Sequence, residues 1–181
     1  ARWESHVGPM EDEDWRDACI APREIALPSR FRNIQLNYLH MAYTTPISIH
    51  RAHPNYYPGC LKCPCPMVDF IHMTWACPRL QKFWTTMGRE LSEVLAREIV
   101  LTPKSALLGV TFELGGCRGD RSIIGMATMI AKRDIAKNWI AKQPPKMSVW
   151  RVGMDWASKL EEPIYEARGC PKNHERLWGK W

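Results

Sequence analysis

The chain lacks most of what would mark it as an enzyme or a membrane protein. Across its 181 residues no apolar run approaches the ~18–20 residues that cross a bilayer. Its start, Ala1-Arg2-Trp3-Glu4, is polar, has no initiator Met and is no secretory signal, so the N-terminus reads as a cut or processed end of a longer protein. There is no Gly-x4-Gly-Lys-Ser/Thr phosphate loop and no His-Glu-x2-His pair, and Gly115-Gly116 precedes no phosphate-binding pattern. Nothing pairs His40 or His174 with a cysteine nucleophile. No useful β-alternation and no internal repeat appear. The expectation is a non-catalytic chain, with no membrane among its partners.

The charge that is present is uneven. Residues 1–28 hold three basic and seven acidic side chains, and residues 29–181 hold twenty-two and twelve, a net +10 for that part of the chain. A basic body suits a polyanion such as RNA or DNA, and it equally suits a merely soluble surface. The cysteines discriminate better. They number seven, an odd count, and four of them crowd between positions 60 and 77. Reduced, metal-binding thiols in a nuclear or cytoplasmic compartment fit that pattern better than a secreted disulfide scaffold.

Helical periodicity dominates the rest. Asp12 or Asp14 can cap a brief helix that carries Trp15 and Ile20 and stops before Pro22 or Pro28. Ser29 opens a second helix with Phe31, Ile34, Tyr38 and Met41 on one stripe and Leu36, Leu39 and Tyr43 on another, ending near Thr44-Thr45-Pro46. Prolines 46, 54, 58, 64 and 66 then mark a loop, which has no reason to stay ordered without a staple. Pro78 starts a long helix with Leu80, Phe83, Trp84, Met87, Leu91, Val94 and Leu95 inward. A short helix follows from Thr102-Pro103 to Leu108, closed by Gly109. Further long helices are predicted over about 121–142, on Ile124, Ala127, Ala131, Ile135 and Trp139, and over about 148–168, on Val149, Val152, Trp156 and Leu160. Pro163 should bend or end the last of these. Acidic pairs such as Glu161-Glu162 read as a solvated face. The fold class is mainly α, with a loop-rich zinc knuckle between the first and second long helices. Its parts are an acidic lead-in (1–28), a helix and proline-rich loop (29–59), the knuckle (60–77), a helical C-terminal domain (78–168) and a basic, aromatic tail (169–181).

The knuckle reads Cys60-x2-Cys63-x8-His72-x4-Cys77. Three thiolates and an imidazole form a usual structural zinc set, and four protein ligands leave no open position for chemistry on a bound water. Cys65 could replace Cys63 but would give a less usual bite. His50 and His53 read as solvated loop histidines. For contact with nucleic acid the candidates are Arg30, Arg32, Lys132, Arg133 and Lys137, with Arg133 and Lys137 four apart on one helix face. Trp75 either stacks on a base or packs the knuckle against the helix that starts at Pro78.

Several stretches in order resemble the C-terminal region of LINE-type (non-LTR) retrotransposon reverse transcriptases. These are Arg32-Asn33-Ile34-Gln35-Leu36-Asn37-Tyr38-Leu39-His40 with Tyr43-Thr44-Thr45-Pro46, then the cysteine cluster with His72-Met73-Thr74-Trp75-Ala76-Cys77-Pro78 and Phe83-Trp84. Leu107-Leu108-Gly109, Ala131 to Trp139, and Pro144-Pro145 through Trp150 continue the likeness. The resemblance implies a parent RNA-directed DNA polymerase with an endonuclease. Its zinc-binding segment would position template RNA or target DNA beside the polymerase body, its ligands falling on Cys60, Cys63, His72 and Cys77. No residue here matches the polymerase's paired aspartates. The competing expectation is a zinc-stabilised, domesticated fragment that docks a protein partner through its helices.

Overall fold

The computed structural model describes residues 2–24 and 29–181, apart from the side chains of residues 21–30. The described residues are mostly helical and contain no strand. Among the described residues the α-helices are α1 (Glu4–Val7), α2 (Asp12–Glu24), α3 (Ser29–Leu39), α4 (Pro46–Ala52), α5 (Pro78–Leu95), α6 (Arg118–Lys137), α7 (Met147–Ala167) and α8 (Pro171–Trp178). Two wide π-helical turns, His72–Ala76 and Lys104–Leu108, interrupt the regular pattern.

Helix α6 is the axis of the body. It is buried on most of its circumference, and α3, α7, α8 and the Lys104–Leu108 turn pack around it. Helix α5 follows its predicted stripe closely: Pro78 stands at its start, and Leu80, Phe83, Trp84, Met87, Leu91 and Leu95 are buried. Gly109, at φ 80°, ends the 104–108 turn in the left-handed region, where a side chain is strained.

Several expectations are corrected. Helix α2 runs through Pro22 to Glu24, and its predicted stop at Pro28 lies outside the described residues. Helix α3 stops at Leu39, well short of Pro46, because Met41 turns to φ 49°. Leu36 is exposed, so only the Phe31, Gln35 and Tyr38 side of α3 is buried. The start of the proline-rich loop is helical: Thr45 and Ser48 form a reciprocal capping box around Pro46, which satisfies the first N–H groups of α4. Helix α7 buries Trp150, Met154 and Ala157, while Val149 and Val152 are 49% and 67% exposed. Both stripes have helical spacing. The packed one is chosen by the Trp150 indole, which donates to the Ala127 carbonyl at 3.0 Å, and by Gly153, where a Cβ would lie 2.6 Å from Ile130 Cγ2. Pro163 is accommodated inside α7 on its exposed side. Glu161 is buried rather than solvated, and it accepts the Trp178 indole N–H at 2.9 Å, which docks α8.

One polar node lies at the centre of the body. The wide 104–108 turn leaves carbonyls without helical partners, and Gln35 Nε2 donates to Leu107 O and Leu108 O at 3.3 and 2.8 Å. Lys132 Nζ donates to Gln35 Oε1 and, at 3.3 Å, to Leu107 O. Lys132, a candidate nucleic-acid contact on sequence alone, is only 1% exposed. That reading is corrected: its ammonium is spent on internal acceptors. Burial lowers its pKa to about 7, against ~10.4 in an unfolded chain. The charged form is therefore penalised in the folded state. The full penalty applies below pH ~7 and is relieved as pH rises towards ~10.4, because the unfolded chain binds the extra proton across that window. Unfolding titrations should accordingly show stability rising from neutral to alkaline pH by a few kcal/mol more in the wild type than in Lys132→Met. Identical pH profiles for the two proteins would contradict this assignment.

Candidate metal centre

The knuckle is assembled from two local structures. In the first, Cys60 N–H donates to Cys65 O at 2.9 Å, closing a tight bend that carries Cys60 and Cys63. Lys62 N–H donates to Cys60 Sγ at 3.3 Å, and Gly59 is buried beneath. In the second, His72–Ala76 forms a π turn, and the Cys77 N–H reaches the His72 carbonyl at 3.2 Å. On an α-helix, residues five apart are rotated by ~140°. The wider turn brings His72 and Cys77 towards one side, and such bulges recur at functional sites. Side chains below satisfy its carbonyls: Trp84 Nε1 donates to Thr74 O at 3.1 Å, and Gln81 Nε2 to Trp75 O at 2.9 Å. Asp69 Oδ1 accepts the His72 N–H at 2.7 Å and so caps the turn at its start.

These two pieces bring Cys60, Cys63, His72 and Cys77 together. One donor atom from each lies within 4.8 Å of the other three. Cys60 Sγ is 3.9 Å from Cys77 Sγ, and Cys63 Sγ is 3.3 Å from His72 Nε2. The four can hold a metal ion. Cys65 faces away and donates to the Met67 carbonyl at 3.3 Å. His50 Nδ1 lies 2.8 Å from the Tyr56 carbonyl and His53 is exposed, so neither belongs to the cluster. None of the seven cysteines forms a disulfide.

The electrostatics of the bare cluster show what it needs. Burial opposes ionisation of Cys60, yet the N–H groups of Lys62 and Cys63 and the adjoining thiols outweigh it and bring its pKa below that of a free thiol. Burial, together with the neighbouring Cys60 and Cys77, pushes Cys63 up to about 11. Thiols packed this closely cannot all ionise without a cation between them. Burial also lowers the pKa of His72, against the opposing pull of Asp69, which keeps the imidazole neutral and its lone pair available.

Lys62 is the site residue that sequence reading missed. Its ammonium donates to Asn138 O at 2.9 Å and Trp139 O at 2.8 Å, just past the end of α6. A cation there satisfies orphan carbonyls and meets the negative end of the helix. Burial lowers its pKa while the thiols of Cys60, Cys77 and Cys63 raise it. A divalent ion with three thiolates and a neutral imidazole carries one net negative charge, and Lys62 offsets it. The available signal was a lysine set inside the Cys-x2-Cys turn.

The other predicted residues are dispersed. Arg32 and Lys137 are exposed. Arg133 pairs with Asp134 at 2.8 Å and lies over the Phe31 ring at 5.7 Å. The Arg30 side chain lies outside the described residues. Trp75 is half-buried with its ring 5.5 Å from that of Trp84, so it packs the knuckle onto α5.

Fold and site together define a mainly helical protein with a loop whose four Cys3His donors are placed to hold a metal ion. No known protein family matches the chain, and no curated protein matches it either. Among the described residues no helix is long and apolar enough to cross a membrane. Lys62→Met removes both hydrogen bonds and the compensating charge while keeping the side-chain bulk. It should lower metal affinity about tenfold or more, as losses around a metal's first ligands do, measured by competition with a chromophoric chelator. Unchanged affinity would mean that Lys62 only packs.

Proposed function

We propose that the chain is a zinc-dependent nucleic-acid-binding module, the non-catalytic C-terminal part of a LINE-type reverse transcriptase, which positions template RNA or target DNA. The observation that carries this reading is the closed Cys3His set held against a basic helical body. Zinc suits the donors: tetrahedral Zn–S bonds of ~2.3 Å give S···S edges of about 3.8 Å and S···N edges of about 3.6 Å. The thiol pair at 3.9 Å and the thiol–imidazole pair at 3.3 Å lie within a few tenths of an ångström of these. Four protein ligands fill the tetrahedron, so the ion's role is structural. Three reduced thiolates call for a reducing compartment, nuclear or cytoplasmic.

The resemblance in the stretches around Arg32–Pro46, His72–Trp84 and Ala131–Trp139 supports the family and supplies the polymerase body as a neighbour. For the polyanion, the candidate cations that are exposed are Arg32 and Lys137, within a segment of net +10. A second reading is a zinc-stabilised protein-interaction domain. The exposed Val149 and Val152 on α7 favour it.

Zinc-loaded protein should bind a single-stranded RNA at low salt, with affinity falling steeply as salt rises through counterion release. Arg32→Ala with Lys137→Ala should flatten the log–log salt slope by about 1.4. Cys60→Ser and His72→Ala should each lose the single zinc together with the fold. Protein that carries zinc but has no affinity for RNA or DNA at low salt would refute the nucleic-acid reading. A salt-insensitive partner bound through Val149 and Val152 would favour the second.

A further inference from the structure

Helix α5 buries its apolar stripe and carries a second stripe on its solvent side. Arg79, Lys82 and Arg89 are exposed there. At 3.6 residues per turn they fall within an arc of about 80° and span ~15 Å of the helix axis. Among the described residues no carboxylate or other side-chain partner engages any of the three. Two acidic residues lie close by. Glu90, at the edge of the stripe, is neutralised by Arg151 of α7, whose Nε and Nη2 donate to its two carboxylate oxygens at 2.7 Å each. Glu93, one turn beyond Arg89, ends the stripe.

These cations do not serve the helix that carries them. Acidic residues in the first turn and basic residues in the last stabilise a helix through its macrodipole. Helix α5 has neither, and its cations precede its carboxylates, the less favourable order for pairs a turn apart. Arg79 and Lys82 instead add to the positive end of the dipole, next to the knuckle. A local arrangement that costs stability without a structural return marks a functional surface.

We propose that this face of α5, through Arg79, Lys82 and Arg89, docks on the phosphate backbone of a nucleic-acid double helix. The inference rests on the nucleic-acid reading above and specifies its ligand as a duplex. The stripe offers charge without rings, since Phe83 and Trp84, the aromatic residues of α5, are both buried. Single-strand sites combine their cations with aromatic faces on which bases stack, whereas a duplex keeps its bases inside and presents phosphates. Each strand of a duplex rises ~3.4 Å per phosphate, so a ~15 Å stripe is long enough for one phosphate per cation. Contacts of this kind fix position and carry no sequence information. An acidic peptide fits less well: no large apolar side chain of α5 is exposed, so it would find charge without the buried anchor that protein interfaces depend on.

The test measures binding of the zinc-loaded chain to a short labelled DNA duplex of mixed sequence, to one of its single strands and to poly-L-glutamate, each over a range of salt. One variant combines Arg79→Ala, Lys82→Ala and Arg89→Ala. Alanine is the best helix former, so this variant should melt no lower than the wild type. Its log–log salt slope on the duplex should be shallower by about 2.7, at ~0.9 per phosphate contact, whatever the duplex sequence. Arg79→Lys with Arg89→Lys keeps the charges and should keep the slope. Glu90→Gln frees Arg151 beside the stripe and should steepen the slope by about 0.9. If the duplex binds and the folded triple variant keeps the wild-type slope, the stripe is refuted and the nucleic-acid reading survives. Tighter binding of the single strand than of the duplex would overturn the duplex assignment with the same result for that reading. If neither nucleic acid binds, both fall; binding of poly-L-glutamate alone, lost in the triple variant, would assign the stripe to an acidic protein partner instead.

Discussion

Cys60 and Cys77 lie with their sulfurs 3.9 Å apart across a loop that has little else to hold it. Between α4 and Asp69 there is no helix, four prolines (54, 58, 64 and 66) interrupt the segment, and Tyr57, Leu61 and Met67 are exposed rather than packed. A few backbone bonds, such as Val68 N–H to Pro58 O at 2.9 Å, cannot alone offset the entropy of ordering such a segment. On the proposal that the four donors bind zinc, such a structural site contributes roughly 10–16 kcal/mol of apparent binding free energy. That is the right scale to close the loop. Lys62 then ties the loop to the body by clamping the end of α6.

The helical body solves a related problem twice. Each π turn brings side chains into a useful arrangement and leaves carbonyls without helical partners. At His72–Ala76 the gain is the convergence of His72 and Cys77, and Trp84 and Gln81 satisfy the stranded carbonyls from α5. At Lys104–Leu108 the acceptors are satisfied by Gln35 from α3 and Lys132 from α6. These buried polar residues join elements far apart in the chain, so their loss would expose the unpaired acceptors and their full desolvation cost.

The longer helices, their order and the four converging donors could be read from periodicity and spacing, because α5 and α6 carry strong apolar stripes and the ligand spacings are local, whereas the short helices α1 and α8 had no such signal. Which of two equal stripes faces inward could not. Val149-x2-Val152 and Trp150-x3-Met154 are both helical, and only the neighbour that receives the Trp150 indole and the close approach at Gly153 decides between them. Lys132 misled for a similar reason. In sequence it belongs to the basic run Lys132-Arg133, but its acceptors, Gln35 and Leu107, are brought to it only by the tertiary fold. Helix α4 was hidden by the proline-rich segment it opens, although Thr45-Pro46 with Ser48 is a local start signal. Lys62 gave only a faint local cue, since its partners lie beyond residue 137.

Cobalt(II) titration of the metal-free chain tests the central claim most directly, because it reports donor type, geometry and stoichiometry together. Closure by Cys60, Cys63, His72 and Cys77 predicts one equivalent bound, intense tetrahedral d–d bands with thiolate-to-cobalt charge transfer, and bleaching of both by one equivalent of zinc. A weak octahedral spectrum, or a tetrahedral one that survives intact in His72→Ala, would contradict it.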